Sequence, residues 1–253
     1  MQINLSGQVA LVTGATGDLG RVIAETLALC GAEVAIHYHS NVTKAEELRR
    51  QIESLQRRAA IFPADITRKD DVFQMRDAIA STLGPPQIVV SNAVIQYQWT
   101  SVLEQATEDY ESQFRSCVLQ VVNLAQAFVP AMQSRQAGRF IGINTECALQ
   151  CQPNQSAYVA GKRGMDGVLR VLAREVGPDG VTVNQVAPGW MISERDRSAG
   201  TEKQPGYEQN VPLRRRGHDQ DIANAVAFLA SDLAGFISGA LLPVCGGNVM
   251  PAL

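Results

Sequence analysis

Long hydrophobic runs are missing from this chain of 253 residues, whose apolar stretches are short and broken by glycine, proline or polar side chains. None approaches the ~20 apolar residues that a membrane-spanning helix requires, which excludes a transmembrane role. A basic excess is missing too: Lys+Arg 22 stand against Asp+Glu 25, for a formal net charge of -3. With no positive field to hold a phosphate backbone, nucleic acid is set aside as a partner. The start, Met1 to Gly7, has no basic segment leading into an apolar one, so a cytosolic, cytoplasmic location is expected. The five cysteines (Cys30, Cys117, Cys147, Cys151 and Cys245) form no CxxC pair, and free thiols are expected. Cys147 and Cys151 have no second pair beside them, and His37-x-His39 has no further ligands, so no metal site is expected. Neither a repeat nor a low-complexity tract occurs, which sets aside solenoids and disorder.

What is present is an ordinary composition, 45% hydrophobic and 19% charged, of the length of one domain, here 1–253. Short β-branched runs at Val9–Val12, Val34–Ile36, Ala60–Phe62, Ile88–Val90, Phe140–Ile143 and Val181–Val186 alternate with segments of helical period. Val22, Ile23, Ala24, Leu27 and Ala28 fit one buried helix face, as do Met165, Val168, Leu169, Leu172 and Val176. Strands separated by helices run parallel, so the expected fold is α/β: a doubly wound parallel sheet of the Rossmann type, in three layers. Ligands of such sheets sit beyond the carboxyl ends of the strands, where the winding reverses. The segment Ser193–Pro212 is polar and charged, and is read as a mobile loop or lid at 193–212.

The first strand runs into Thr13-Gly14-Ala15-Thr16-Gly17-Asp18-Leu19-Gly20, and a helix follows. Glycines there allow a tight turn and a close approach to an anion, and the first N–H groups of the helix supply donors for a dinucleotide phosphate. This turn resembles the TGxxxGxG of the short-chain dehydrogenase/reductase family, and the likeness continues in order along the chain. Asp65-Ile66 matches its adenine-contacting acid and neighbour, and Ser91-Asn92-Ala93-Val94 its NNAG segment. Tyr158-Val159-Ala160-Gly161-Lys162 matches YxxxK, and Asn184-Gln185-Val186-Ala187-Pro188-Gly189 matches NxVxPG. Pro212 to Arg215, Asp221 to Ala223 and Ser238 to Gly247 resemble the C-terminal pattern, and the whole resembles 3-oxoacyl-reductase-like members.

The resemblance implies an oxidoreductase that moves a hydride between a nicotinamide cofactor and a small carbonyl or hydroxyl substrate. Tyr158 would be the general acid/base, and Lys162, at i+4 on the same helix face, would favour its phenolate. Thr145 stands where the family has its substrate-orienting serine, and Cys117 where it has a catalytic asparagine. The implied cofactor contacts are Gly14, Thr16, Asp18, Leu19 and Gly20, then Asp65, Ile66, Asn92, Ala93 and Val94. Near the chemistry they are Ile143, Tyr158, Lys162, Pro188, Gly189, Met191 and Ser193.

No acid ends the second strand to hold a ribose hydroxyl. His39, Ser40 and Asn41, followed by Lys44, offer neutral or basic donors, so NADP is preferred to NAD. Substrate contacts are expected from Gln96, Tyr97 and Trp99, from Gln150 to Gln152, and from Trp190 with the 193–212 loop. Arg214-Arg215-Arg216 is read as a solvated rim, with attraction of an anion as the alternative.

Four departures from the family pattern stand out, one of them the pair Ser91 and Val94 in the NNAG segment. Asp18 replaces a glycine of the turn and is expected to cap its own helix. Val94 would crowd the ribose, Cys117 would slow a proton relay, and Thr145 adds a methyl to the serine. They keep open a second reading, a nucleotide-binding interaction protein of the same fold without catalysis. The family also implies a homodimer or homotetramer.

Overall fold

Seven strands of a computed structural model, which describes residues 2–251, lie side by side in one sheet. They are β1 Val9–Val12, β2 Glu33–Tyr38, β3 Ala59–Pro63, β4 Ile88–Ser91, β5 Gly138–Ile143, β6 Val181–Pro188 and β7 Leu241–Val244. Their order is β3-β2-β1-β4-β5-β6-β7, with every neighbouring pair parallel. Winding runs outward from β1 to β3 and then returns to place β4 against β1, so the direction reverses between those two strands. Of the expected 1–253 unit, Met1, Ala252 and Leu253 lie outside the described residues.

β1 is wholly apolar and β4 is apolar up to Ser91, because both sheet faces are covered there. Alternation along β1 sorts its side chains: Ala10 and Val12 enter one core with Ile23, Leu27, Leu48, Ile222 and Val226. Val9 and Leu11 enter the other with Val72, Ile79, Leu124, Phe128, Met165 and Leu169. The first core is covered by α1 (Asp18–Leu29), α2 (Val42–Ser54) and α10 (Asp219–Ala230). The second is covered by α3 (Lys69–Thr82), α5 (Gln120–Ser134) and α7 (Ser156–Val176). A short α4 (Thr107–Gln113) leads through a π-turn, Phe114–Leu119, into α5, and α6 is Cys147–Gln150. Both expected helix faces are buried where the spacing put them.

Three expectations change. The sheet has a seventh strand, β7, which pairs only with β6 and carries Pro243. An edge strand tolerates a residue without an N–H, which a central one does not.

The 193–212 stretch is not a plain loop. It holds α8 (Glu194–Ala199), whose start is closed by a reciprocal capping box between Ser193 and Asp196, and α9 (Pro205–Glu208), which opens on a proline. Nor is the arginine run a solvated rim throughout. Arg214 and Arg215 are exposed, but Arg216 is buried. Its guanidinium donates to Asp196 Oδ2 at 2.8 Å and to the carbonyls of Met191 (2.6 Å) and Glu202 (3.1 Å), with its centre 4.6 Å from the Trp190 ring.

Candidate active site

At the switch point the glycine-rich turn closes on itself. Gly14 has φ +62°, and a Cβ there would stand 2.9 Å from Ala93 Cα. A Cβ on Gly20 would lie 2.2 Å from the Gly14 carbonyl oxygen and 2.8 Å from Asn92 Nδ2, so neither position admits a side chain. Asn92 Nδ2 donates to the Thr13 carbonyl at 2.9 Å, while the Thr13 hydroxyl accepts from the N–H groups of Asn92 (2.9 Å) and Ala93 (3.1 Å). His37 completes the clamp: its Nδ1 accepts from the Gly14 N–H at 2.9 Å, so its Nε2 is the nitrogen that donates to the Ala64 carbonyl, at 3.1 Å. Burial pushes this imidazole down to about 4, which keeps it neutral.

A cavity of about 650 Å³ runs across the strand ends from this turn. Gly14, Thr16, Asp18, Leu19 and Gly20 line its middle, His39, Ser40, Asn41, Asp65 and Ile66 one end, and Asn92, Ala93, Val94 and Gln96 its wall. Ile143, Thr145, Tyr158, Lys162, Pro188 and Gly189 line the other end. The first N–H groups of α1 have no helical carbonyl to bond, so the turn offers donors where a phosphate would approach. The donors and the absent side chains at Gly14 and Gly20 fit a dinucleotide.

Asp18 does not cap its own helix: it is the first residue of α1, and its Oδ2 accepts the N–H of Glu194 at the start of α8, 3.0 Å away. The carboxylate is drawn to a helix terminus, but to that of another element. Val94 does not adopt a left-handed backbone, and its side chain packs partly into the second core. Of the β2-end residues, Asn41 spends its side-chain oxygen capping α2 by accepting from the Lys44 N–H. Asp65 accepts from the Thr67 hydroxyl (2.7 Å) and N–H (2.9 Å). Burial works against its charge, but these bonds and the nearby His39 hold its carboxyl below the usual range.

At the far end, the first two turns of α7 carry Tyr158 and Lys162. Lys162 is buried, donates to the Ile143 carbonyl at 2.6 Å and stands 5.8 Å from the centre of the Tyr158 ring. The Tyr158 N–H donates to the Tyr97 hydroxyl at 2.8 Å, and the Trp99 ring stacks on Tyr158 at 5.8 Å and 26°. Burial pushes the phenol well above its ordinary value, with the Cys147 and Cys117 thiols adding to it and a hydrogen bond with Thr145 opposing. The expected lowering by Lys162 is not among these causes, and burial lowers the lysine's own pKa as well.

Cys117 sits in the π-turn, fully buried, outside the cavity lining. Its Sγ is 3.9 Å from Gln113 Oε1, and it faces Gly161, where a Cβ would come 3.3 Å from its own Cβ. Other expected contacts also fall outside the lining, Tyr97 and Trp99 among them. Gln152 is exposed and Gln150 half-buried, Met191 packs on Gly217, and Ser193 is spent on capping α8. Trp190 is also outside it, half-exposed, with its N–H bonded to the Tyr207 hydroxyl. The motifs gave no notice of Asn144, whose Oδ1 accepts from the Thr145 N–H and whose Nδ2 donates to Gln185. The only signal for such a residue is its place beside Thr145. Among the described residues no cluster of metal-ligating side chains occurs, and no helix is long and apolar enough to cross a membrane.

Comparison with known proteins agrees with this geometry. The model of the enoyl-(acyl carrier protein) reductase family matches residues 14–248. The 3-oxoacyl-[acyl-carrier-protein] reductase FabG of Staphylococcus epidermidis is 33% identical over 241 residues, 95% of this chain and 98% of the relative. Its counterpart in Escherichia coli is 34% identical over 248 residues, 98% of this chain and 100% of the relative. Among solved structures, the promiscuous reductase LugOII, which catalyses keto-reduction at C1 during lugdunomycin biosynthesis, superposes with a TM-score of 0.90 at 30% identity, covering 98% of this chain and all of that one. With the strand order, the glycine turn and the Tyr158–Lys162 pair already in place, these likenesses make the chain a member of the short-chain dehydrogenase/reductase family of oxidoreductases.

Proposed function

We propose that this chain is a cytosolic, NADP(H)-dependent reductase of small carbonyl compounds, working as a homo-oligomer. One observation carries the reading: Thr145, Tyr158 and Lys162 converge at one end of a cavity whose middle is the phosphate-ready glycine turn. The names of the relatives, 3-oxoacyl reductases and a keto-reductase, favour ketone reduction. The choice of NADP(H) rests on the end of the cavity beyond β2, where His39 and Ser40 stand and no acid of β2 opposes a 2′-phosphate.

A bound reduced nicotinamide would supply the hydride. Gly14 to Gly20 would hold the diphosphate, and Asn92, Ala93 and Lys162 the ring's ribose side. The Tyr158 hydroxyl would give its proton to the carbonyl oxygen of the substrate, and Thr145 would orient that oxygen by hydrogen bonding. A phenol held protonated by burial suits the direction in which it is the donor.

The test is a fluorescence titration with NADPH and with NADH at fixed salt, followed by a ketone panel that includes a 3-oxoacyl thioester. Tighter NADPH binding with turnover supports the reading, and tighter NADH binding overturns the cofactor choice. Binding of neither would favour the second reading, a relative without catalysis, which draws on Cys117 in place of an asparagine.

A further inference from the structure

Glu146 follows Thr145 at the end of β5 and is 3% exposed. A buried carboxylate needs partners, and among the described residues no lysine or arginine forms an ion pair with it. Its partners are neutral. Oε1 accepts from the Tyr207 hydroxyl at 2.8 Å, and Oε2 accepts from Asn248 Nδ2 at 3.0 Å. The same Tyr207 oxygen accepts the Trp190 N–H at 2.9 Å, and the Trp190 ring stands edge-on to that of Tyr207 at 5.5 Å. Glu146 is also tied through its backbone, its N–H donating to the Pro188 carbonyl at 2.8 Å.

Four separate segments therefore meet at one carboxylate: the turn that carries Thr145, the loop after β6, α9, and the C-terminal stretch. The approach depends on Gly189, because a Cβ there would stand 2.7 Å from the Tyr207 oxygen. A buried charge with no cation adds little net stability, so stability alone does not account for it. Its location does, since Pro188 and Gly189 line the cavity beside Thr145 and Tyr158. Burial pushes the carboxyl up while the hydrogen bonds from Tyr207 and Asn248 oppose, so the bonds are what favour its charge.

We propose that Glu146 is a positioning residue which, through the Tyr207 hydroxyl, holds Trp190 and α9 against the Thr145 end of the cavity and so sets how tightly the substrate binds there. The proposal rests on the reductase reading above. Tyr207→Phe keeps the ring against Trp190 and removes only the shared hydroxyl, and Glu146→Gln keeps the shape and removes the charge.

For each variant the substrate KM should rise about tenfold, with most of the loss in KM and not in kcat, and with cofactor Kd within about twofold. The double variant should be no worse than Tyr207→Phe alone, because both act on the same link. Additive effects, or a loss confined to kcat, would overturn the proposal. Hydrogen–deuterium exchange of the wild-type protein and of Tyr207→Phe supplies a readout that needs no turnover. Exchange should rise in the 190–210 segment and stay unchanged in β5 and α7. Unchanged exchange in 190–210 would sink the positioning role even in an active enzyme, and a rise in a protein that reduces no ketone would leave the link standing and remove the reductase reading.

Discussion

A phenol that burial holds protonated and an imidazole that burial holds neutral are the two side chains whose charge states decide most here. Replacing Tyr158 by Phe removes the proposed proton donor without touching the glycine turn. Turnover should fall on the order of a thousandfold while NADPH binding stays within a few-fold, as read by steady-state rates beside the fluorescence titration. For His37 the folded value is about 4 against an ordinary 6.5, so the unfolded chain binds the extra proton between those values. The stability this histidine contributes is fully present above pH 6.5 and is lost as pH falls through the window toward 4. The loss should approach about 3 kcal/mol, and urea unfolding across that range should show a slope that His37→Gln lacks. The family resemblance singled out Tyr158, Lys162, Thr145 and the glycines, and the fold brings them to one cavity. The resemblance did not reach His37 as a clamp, or Asn144 and Glu146, because their partners (Gly14, Gln185, Tyr207) come close only through the fold.

Among the elements, the strand–turn–helix unit β1–α1 is the most constrained. Gly20→Ala would drive a methyl into the Gly14 carbonyl, and opening the turn to relieve it should cost about 1–3 kcal/mol and weaken cofactor binding by at least about tenfold. The segment from Trp190 to Glu202 hangs instead on Arg216. Arg216→Ala leaves Asp196 and several carbonyls without their donor and should lower Tm by about 5 °C or more, whereas Arg214→Ala, at an exposed position, should change it little.

Six strands were readable because β-branched runs stand apart from helical period. β7 was not, because its four residues include a proline and lie close to a Gly-Gly pair. The helices α8 and α9 were hidden by their shortness, six and four residues with almost no apolar face, so that capping and a buried arginine hold them where hydrophobic period does not.

For the whole molecule, Phe114 and Leu119 remain exposed on the second layer, lining one shallow groove with Ala160 and Gly161. Light scattering should return a mass that is a multiple of the single chain, and Phe114→Glu should reduce it. The contact between Asp18 and the Glu194 N–H bears on how the chain assembles. It joins residues 176 positions apart and ties the cavity-lining Asp18 to α8 across a stretch of chain that holds β2 to β6. Contacts of such long sequence separation form late, when most of the loop-closure entropy has already been spent. The capacity to capture a dinucleotide should accordingly lag behind the recovery of secondary structure when the protein is refolded from denaturant. Cofactor present during synthesis then has little to grip until nearly the whole chain is in place.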